Sequence, residues 1–102
     1  MKTALPFDEV VARDARLCIL RELANQTNGQ LNDATLLQVL DIFGFNRSRE
    51  WLRTQLNKLE DLGAVRLNQA GSVVVAELRR AGRDHVERRA IIDGISRPSD
   101  EA

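Results

Sequence analysis

The side chains best equipped for recognition chemistry fall between positions 47 and 69: Arg47, Ser48, Arg49, Arg53, Thr54, Asn57, Lys58, Arg66 and Gln69. Arg makes two-point contacts with guanine, Asn does the same with adenine, and Thr meets the thymine methyl group. This set therefore suits contact with duplex DNA rather than bond making or breaking. Spacing supports the assignment. Leu52, Leu56 and Leu59 recur at i, i+4 and i+7, marking the inward face of one helix. The residues left outward are Arg49, Glu50, Arg53, Thr54, Asn57 and Lys58. Arg47 precedes the helix, and the free N–H groups at Ser48 suit a phosphate. Arg66 and Gln69 fall on a following hairpin, Gln69 at its tip, positioned for a neighbouring phosphate or minor groove. Glu50, Glu60 and Asp61 oppose this reading, since each repels phosphate. The competing interpretation is a solvated helix face that binds nothing.

Other chemistry is sparse. The chain has one Cys and one His. Cys18 lies among apolar residues in a helical stretch and is expected to pack in the core. Asp84, His85 and Glu87 resemble a metal site only in composition. A second His is missing, and zinc takes at least three protein ligands. His85 is expected at the surface. No phosphate-cradling loop, nucleophile elbow or carboxylate–His pair occurs. The expectation is a protein without catalytic residues, metal or cofactor. Arg79, Arg80, Arg83, Arg88 and Arg89 crowd the last helix, where pairs such as Arg80–Asp84 and Arg83–Glu87 account for them better than a phosphate track.

The elements that must position these residues can be placed in order. Pro6 followed by Phe7-Asp8-Glu9 opens a first helix reaching about Ala24. Its apolar residues span the whole circumference at Leu17-Cys18-Ile19-Leu20, so it lies deep in the domain or meets a second subunit. Val10, Leu17, Ile91 and Ile92 are the candidate dimer contact. Asn25–Gln30 is a turn, Leu31 adds a short strand position, and Asn32 caps a second helix that Gly44 stops. Ser48 caps the third helix, which runs 48–62 to Gly63. Two β-prone stretches, Ala64–Leu67 and Ser72–Ala76, flank the turn Asn68-Gln69-Ala70-Gly71. A helix over Leu78–Ala90 follows. A domain over 1–93 and an extended or flexible tail over 94–102 are predicted.

Bulk properties agree with one small domain of 102 residues: 43% are hydrophobic and 29% charged. Aromatic residues are only 4%, so Leu, Val, Ile and Ala must build the core. Net charge is zero, but its distribution is uneven: residues 1–46 carry net −2, residues 47–67 net +2, and residues 78–97 net +3. No apolar run is long enough to span a membrane, and the start of the chain lacks the apolar stretch of a secretory signal. With a lone Cys, a cytoplasmic protein is expected.

Three helices, a two- or three-stranded wing and a C-terminal helix describe a mainly α, winged helix-turn-helix domain. The run Ser48-Arg49 … Leu52 … Leu56 … Leu59-Glu60-Asp61-Leu62-Gly63-Ala64-Val65 resembles the recognition helix of ArsR-type repressors, and Arg16–Leu23 resembles their first helix. Over about residues 13–99 the chain is still more similar to small winged-helix proteins of Mu-like phages and prophages. Shared features are the Ser-Arg helix start, the wing, and a closing Gly94-Ile95-Ser96-Arg97-Pro98 element. The resemblance implies the winged-helix fold and a phage origin. With the outward residues of the helix 48–62 and the wing 64–76, and the apolar excess of the first helix, the expectation is a homodimeric transcriptional regulator reading double-stranded DNA. The alternative is a protein-interaction or phage morphogenesis module that keeps the fold without binding DNA.

Overall fold

A computed structural model describes residues 5–99. The outermost ends of the two predicted ranges, 1–4 and 100–102, lie outside the described residues. The chain forms α1 (Phe7–Ala24), β1 (Gln30–Asn32), α2 (Asp33–Ile42), α3 (Arg49–Asp61), β2 (Val65–Ala70), β3 (Val73–Leu78) and α4 (Arg80–Val86). The strands make one antiparallel sheet in the order β1-β3-β2. The fold is thus four helices and a three-stranded antiparallel sheet.

The helix boundaries follow local chemistry. Asn32 Oδ1 accepts from the Thr35 N–H at 2.8 Å, and Ser48 Oγ accepts from the Trp51 N–H at 3.0 Å. Each cap satisfies one of the donors a helix start leaves open. Gly44 and Gly63 end α2 and α3 in left-handed conformation, with φ of 91° and 79°. Behind each, the next N–H reaches back to a carbonyl of the last turn: Phe45 to Leu40, and Ala64 to Leu59. This closure needs a positive φ, which glycine adopts without penalty.

The core lies where α1, α3 and the sheet meet. Ile19, Leu20, Leu23, Leu36, Leu40, Leu52, Leu56 and Leu59 are fully buried, with Val65 and Ala76 contributed by the sheet. The all-round apolar character of α1 reflects depth in the protomer: Ala15, Ile19, Leu20 and Leu23 have no exposure. Even Arg16 is buried. Its Nε donates to Gln55 Oε1 at 2.9 Å, and its Nη1 donates to the Gly94 carbonyl at 2.7 Å and to Glu9 Oε2 at 3.3 Å. A buried guanidinium is tolerated when its donors are satisfied in this way.

Four expectations are corrected here. The hairpin loop is Gly71-Ser72, not Asn68–Gly71: Ala70 pairs with Val73, so Asn68 and Gln69 belong to β2. Gly71, at φ 62°, supplies the backbone that two-residue hairpin loops demand. The last helix is shorter than Leu78–Ala90. Leu78 is the final residue of β3, paired with Val65. At the other end Arg88 turns left-handed at φ 62°, the Arg88 N–H reaches the His85 carbonyl and the Arg89 N–H that of Asp84. The helix therefore closes as one ended by glycine would, without the glycine that announces such a stop. The segment from residue 94 is not a free tail over its first part. Ile95 is 4% exposed within the core, the Ser96 N–H donates to the Arg13 carbonyl, and the Ser96 hydroxyl is bonded to Asp14. Finally, His85 is buried, not at the surface. Its Nδ1 accepts from the Ile92 N–H at 3.0 Å, which leaves Nε2 to donate to the Ser96 carbonyl at 2.9 Å.

Candidate nucleic-acid interface

The side chains of α3 divide into three groups by what surrounds them. Leu52, Gln55, Leu56 and Leu59 are buried. Glu50, Thr54, Asn57 and Lys58 are exposed. Arg49 and Arg53 lie between, one turn apart on the flank facing α2 and the hairpin, with side chains 41% and 37% exposed.

Both arginines converge on one carboxylate. Asp33, the first residue of α2, has no exposed surface. Its Oδ2 accepts from Arg49 Nε at 3.1 Å and Arg53 Nε at 2.7 Å. Its Oδ1 accepts from Arg49 Nη2 at 3.1 Å and from the Val74 N–H at 3.2 Å. The same arginines then reach the hairpin loop. Arg53 Nη2 donates to the Ser72 carbonyl at 2.9 Å, and Arg49 Nη2 to the same oxygen at 3.4 Å. Burial acts to raise the Asp33 carboxyl, but the hydrogen bonds from Arg49, Arg53 and Val74 outweigh it and hold the group well below the usual carboxylate range. The same contact raises Arg49. One acidic side chain thus fastens α2, α3 and the hairpin to one another.

In the sequence Asp33 stands only as an acid in the first turn of a helix. No local signal pairs it with Arg49 and Arg53, which lie 16 and 20 positions away. The two arginines were expected to project freely outward. That is corrected: each spends one edge of its guanidinium inside the protein.

The other predicted contacts scatter around α3. Asn57 and Gln69 share a groove with Arg53, floored by Leu56, Leu67 and Val74, where α3 meets the sheet. The Gln69 amide donates to the Gly71 carbonyl at 2.9 Å, one residue pair back from the loop rather than at the tip. Thr54 Oγ1 donates to the Glu50 carbonyl at 3.1 Å. Lys58 and Ser48 are exposed. Arg47 stacks over the Trp51 ring, its guanidinium carbon 5.1 Å from the centroid.

Arg66 does not join this group. Side chains alternate along a strand, and Val65, Leu67 and Gln69 of β2 face the α3 side. Arg66 therefore points to the other face, opposite Glu77 and near the base of the hairpin. Among the acids expected to oppose DNA, Glu60 is engaged: its Oε2 accepts from the Leu67 N–H at 2.9 Å and covers part of an edge strand.

The candidate dimer residues also separate. Leu17 is 7% exposed and serves the protomer's own core, so it is withdrawn from the contact set. Val10 and Ile91 are 40% and 58% exposed and line one crease with Leu5 and Ile92. Ile92 packs against the core. Of the helix-4 pairs, Arg83–Glu87 forms at 3.9 Å, and Arg89 also reaches Glu87 at 3.5 Å. No group of three or more potential metal-ligating residues occurs among the described residues, nor is any described helix long and apolar enough to cross a membrane.

Comparison with known proteins finds relatives by sequence. No family model matches the chain, and no solved structure matches it. A protein of Haemophilus influenzae, described as uncharacterized, is 31% identical over 65 residues, covering 64% of this chain and 63% of that relative. The "Uncharacterized protein gp26" of Escherichia phage Mu is 33% identical over 96 residues, which span 94% of this chain and 99% of the relative. With that identity over essentially the full length of both proteins, the chain belongs to the family of the phage Mu gp26 protein.

Proposed function

We propose that the protein is a winged helix-turn-helix module that binds duplex DNA, with α3 as recognition helix and the β2–β3 hairpin as wing, and that it serves as a small non-enzymatic transcriptional regulator in the cytoplasm. The observation that carries this reading is the groove between α3 and the hairpin. There Arg53, Asn57 and Gln69 stand together, with Arg49 one turn before Arg53. A helix that enters a major groove presents such donors from its N-terminal half, and a wing reaches the backbone beside it. The ArsR-type likeness of the α3 sequence supports the same assignment. Homodimerisation through the crease of Val10, Ile91 and Ile92 would place two such helices on one face of a duplex.

The test is a salt-dependent titration of the protein with random duplex DNA and with DNA flanking its own gene. It can be followed by the fluorescence of Trp51, the sole Trp. Non-specific dissociation constants of about 10⁻⁴–10⁻⁶ M are expected at physiological salt, tightening as salt falls. Absence of any signal at tens of micromolar and low salt rejects the proposal. Light scattering at high micromolar concentration tests the dimer, which a purely monomeric mass rejects.

A second reading, an interaction or morphogenesis module that does not bind DNA, is favoured by one observation. Ile42 and Phe43 are 81% and 59% exposed at the end of α2, and Phe43 borders a groove lined by Leu17, Cys18 and Phe45. Large exposed apolar side chains beside a groove are a feature of protein-binding surfaces. Failure of the wild-type protein to bind any duplex in the titration above favours this reading, and duplex binding rejects it.

A further inference from the structure

From the Asp33–Arg49–Arg53–Ser72 cluster we infer that the arginine pair is a preassembled clamp for one backbone phosphodiester of duplex DNA, with Asp33 as its positioning residue. The inference deepens the DNA-binding reading and rests on it. Three features support it.

The first is the division of labour within each guanidinium. Nε and Nη2 of Arg49 are turned toward Asp33 and Ser72, as are Nε and one Nη2 hydrogen of Arg53. Both Nη1 amino groups make no hydrogen bond among the described residues, and the side chains remain more than a third exposed. Arg53 is thus immobilised with Nη1 and one Nη2 hydrogen left over as an open fork, while Arg49 keeps Nη1 alone open beside it. A guanidinium fork matches the spacing of phosphate oxygens, and one already ordered loses less freedom on binding.

The second is charge. Two guanidiniums against one carboxylate leave a net charge of +1. The carboxylate is buried, whereas the cationic edges face solvent. An approaching anion meets the positive groups, not Asp33. The third is location. The clamp bridges α3 and the loop at Ser72, so a phosphate held there would seat both elements against the same strand. Phosphate contacts of this kind set the register of a protein on DNA without reading sequence. Base reading then falls to Asn57, Thr54 and Gln69, not to the arginines.

The experiment compares wild type, Asp33→Asn, Arg53→Lys and, as a control on α1, Arg21→Lys. Removing an acidic charge from a DNA-binding surface ordinarily strengthens binding. Asp33→Asn is expected to weaken it, because an Asn amide offers N–H groups where one carboxylate oxygen now accepts from arginine. Arg53→Lys keeps the charge and the pairing with Asp33 but loses the fork. It is expected to weaken binding to all duplex sequences alike while leaving the slope of log K against log salt near that of wild type, since the charge is kept. Arg21→Lys should match wild type. Thermal melts show which variants remain folded, so that Arg53→Lys decides the matter if Asp33→Asn does not fold. Nitrogen-detected resonances of Arg49 and Arg53 Nε, followed with duplex and separately with inorganic phosphate, identify the source of the anion. Shifts with duplex at concentrations where inorganic phosphate has no effect support the clamp. Shifts with inorganic phosphate alone assign the site to a free anion and overturn the duplex assignment. Duplex binding by wild type that Arg53→Lys leaves unchanged overturns the clamp alone. Absence of duplex binding by wild type overturns both the clamp and the function on which it rests.

Discussion

Arg53 Nε donates to Asp33 Oδ2 at 2.7 Å, the shortest of the links that join the start of α2 to the middle of α3. Asp33 is fully buried while Arg53 reaches solvent. The contact therefore behaves as a structural fastening on its acidic side and as an accessible cation on its basic side, and its two ends respond differently to perturbation.

Acid should loosen this fastening. The Asp33 carboxyl is held below its ordinary range in the folded protein and returns to it, near pH 4, on unfolding. The group's stabilising contribution is therefore fully present above about pH 4 and falls away as pH drops toward the folded value. Urea midpoints measured from pH 7 to pH 3 should decline in wild type and much less in Asp33→Ala. Asp33→Ala itself should cost about 3 kcal/mol at pH 7, the low end for breaking a buried pair, because the freed arginines can hydrate.

His85 should carry its ring proton on Nε2, since its Nδ1 accepts from the Ile92 N–H. Nitrogen-15 spectra of the imidazole distinguish the two tautomers directly. His85→Ala strands the Ile92 N–H and the Ser96 carbonyl, at a cost of about 1–3 kcal/mol for each buried group left unpaired. It should also free the segment after α4, seen as faster tryptic cleavage of the Arg89–Ala90 bond. Equal cleavage rates in wild type and variant would contradict this role.

Cys18 should react slowly. Burial, assisted by the nearby Glu22, pushes its thiol up to about 11, so little thiolate exists at pH 8. Disulfide reagents should modify it over a much longer time natively than in denaturant. A rapid native reaction would place the thiol in a different environment.

Gly82 should resist enlargement. It is buried in α4, and a Cβ added there would run into the Ala64 carbonyl oxygen and the Leu78 side chain. Alanine raises helix propensity by about 1 kcal/mol, so an exposed site would gain stability. Here backbone crowding wins, and Gly82→Ala should lower stability by about 1–3 kcal/mol, as overpacking does. Calorimetric melting shows the sign.

Much of the scaffold was legible without coordinates because its signals are short-range. Asn32 and Ser48 mark helix starts, and Gly44 and Gly63 mark helix ends, through hydrogen bonds between residues only three to five apart. The Leu52, Leu56, Leu59 spacing identifies the buried face of α3 because helical geometry alone puts them together. The last helix stops before its residue pattern predicts because Arg88 takes a left-handed conformation that its residue type does not announce. Only the tertiary structure decided where the polar groups point. Asp33 meets Arg49, Arg53 and Val74 across separations of 16 to 41 residues, Arg16 meets Gly94 across 78, and His85 turns inward because Ile92 and Ser96 fold back over it. Charge and polarity in a sequence specify what a side chain needs. Which partner meets that need is set by the packing of elements far apart in the chain, and no periodicity or cap encodes it.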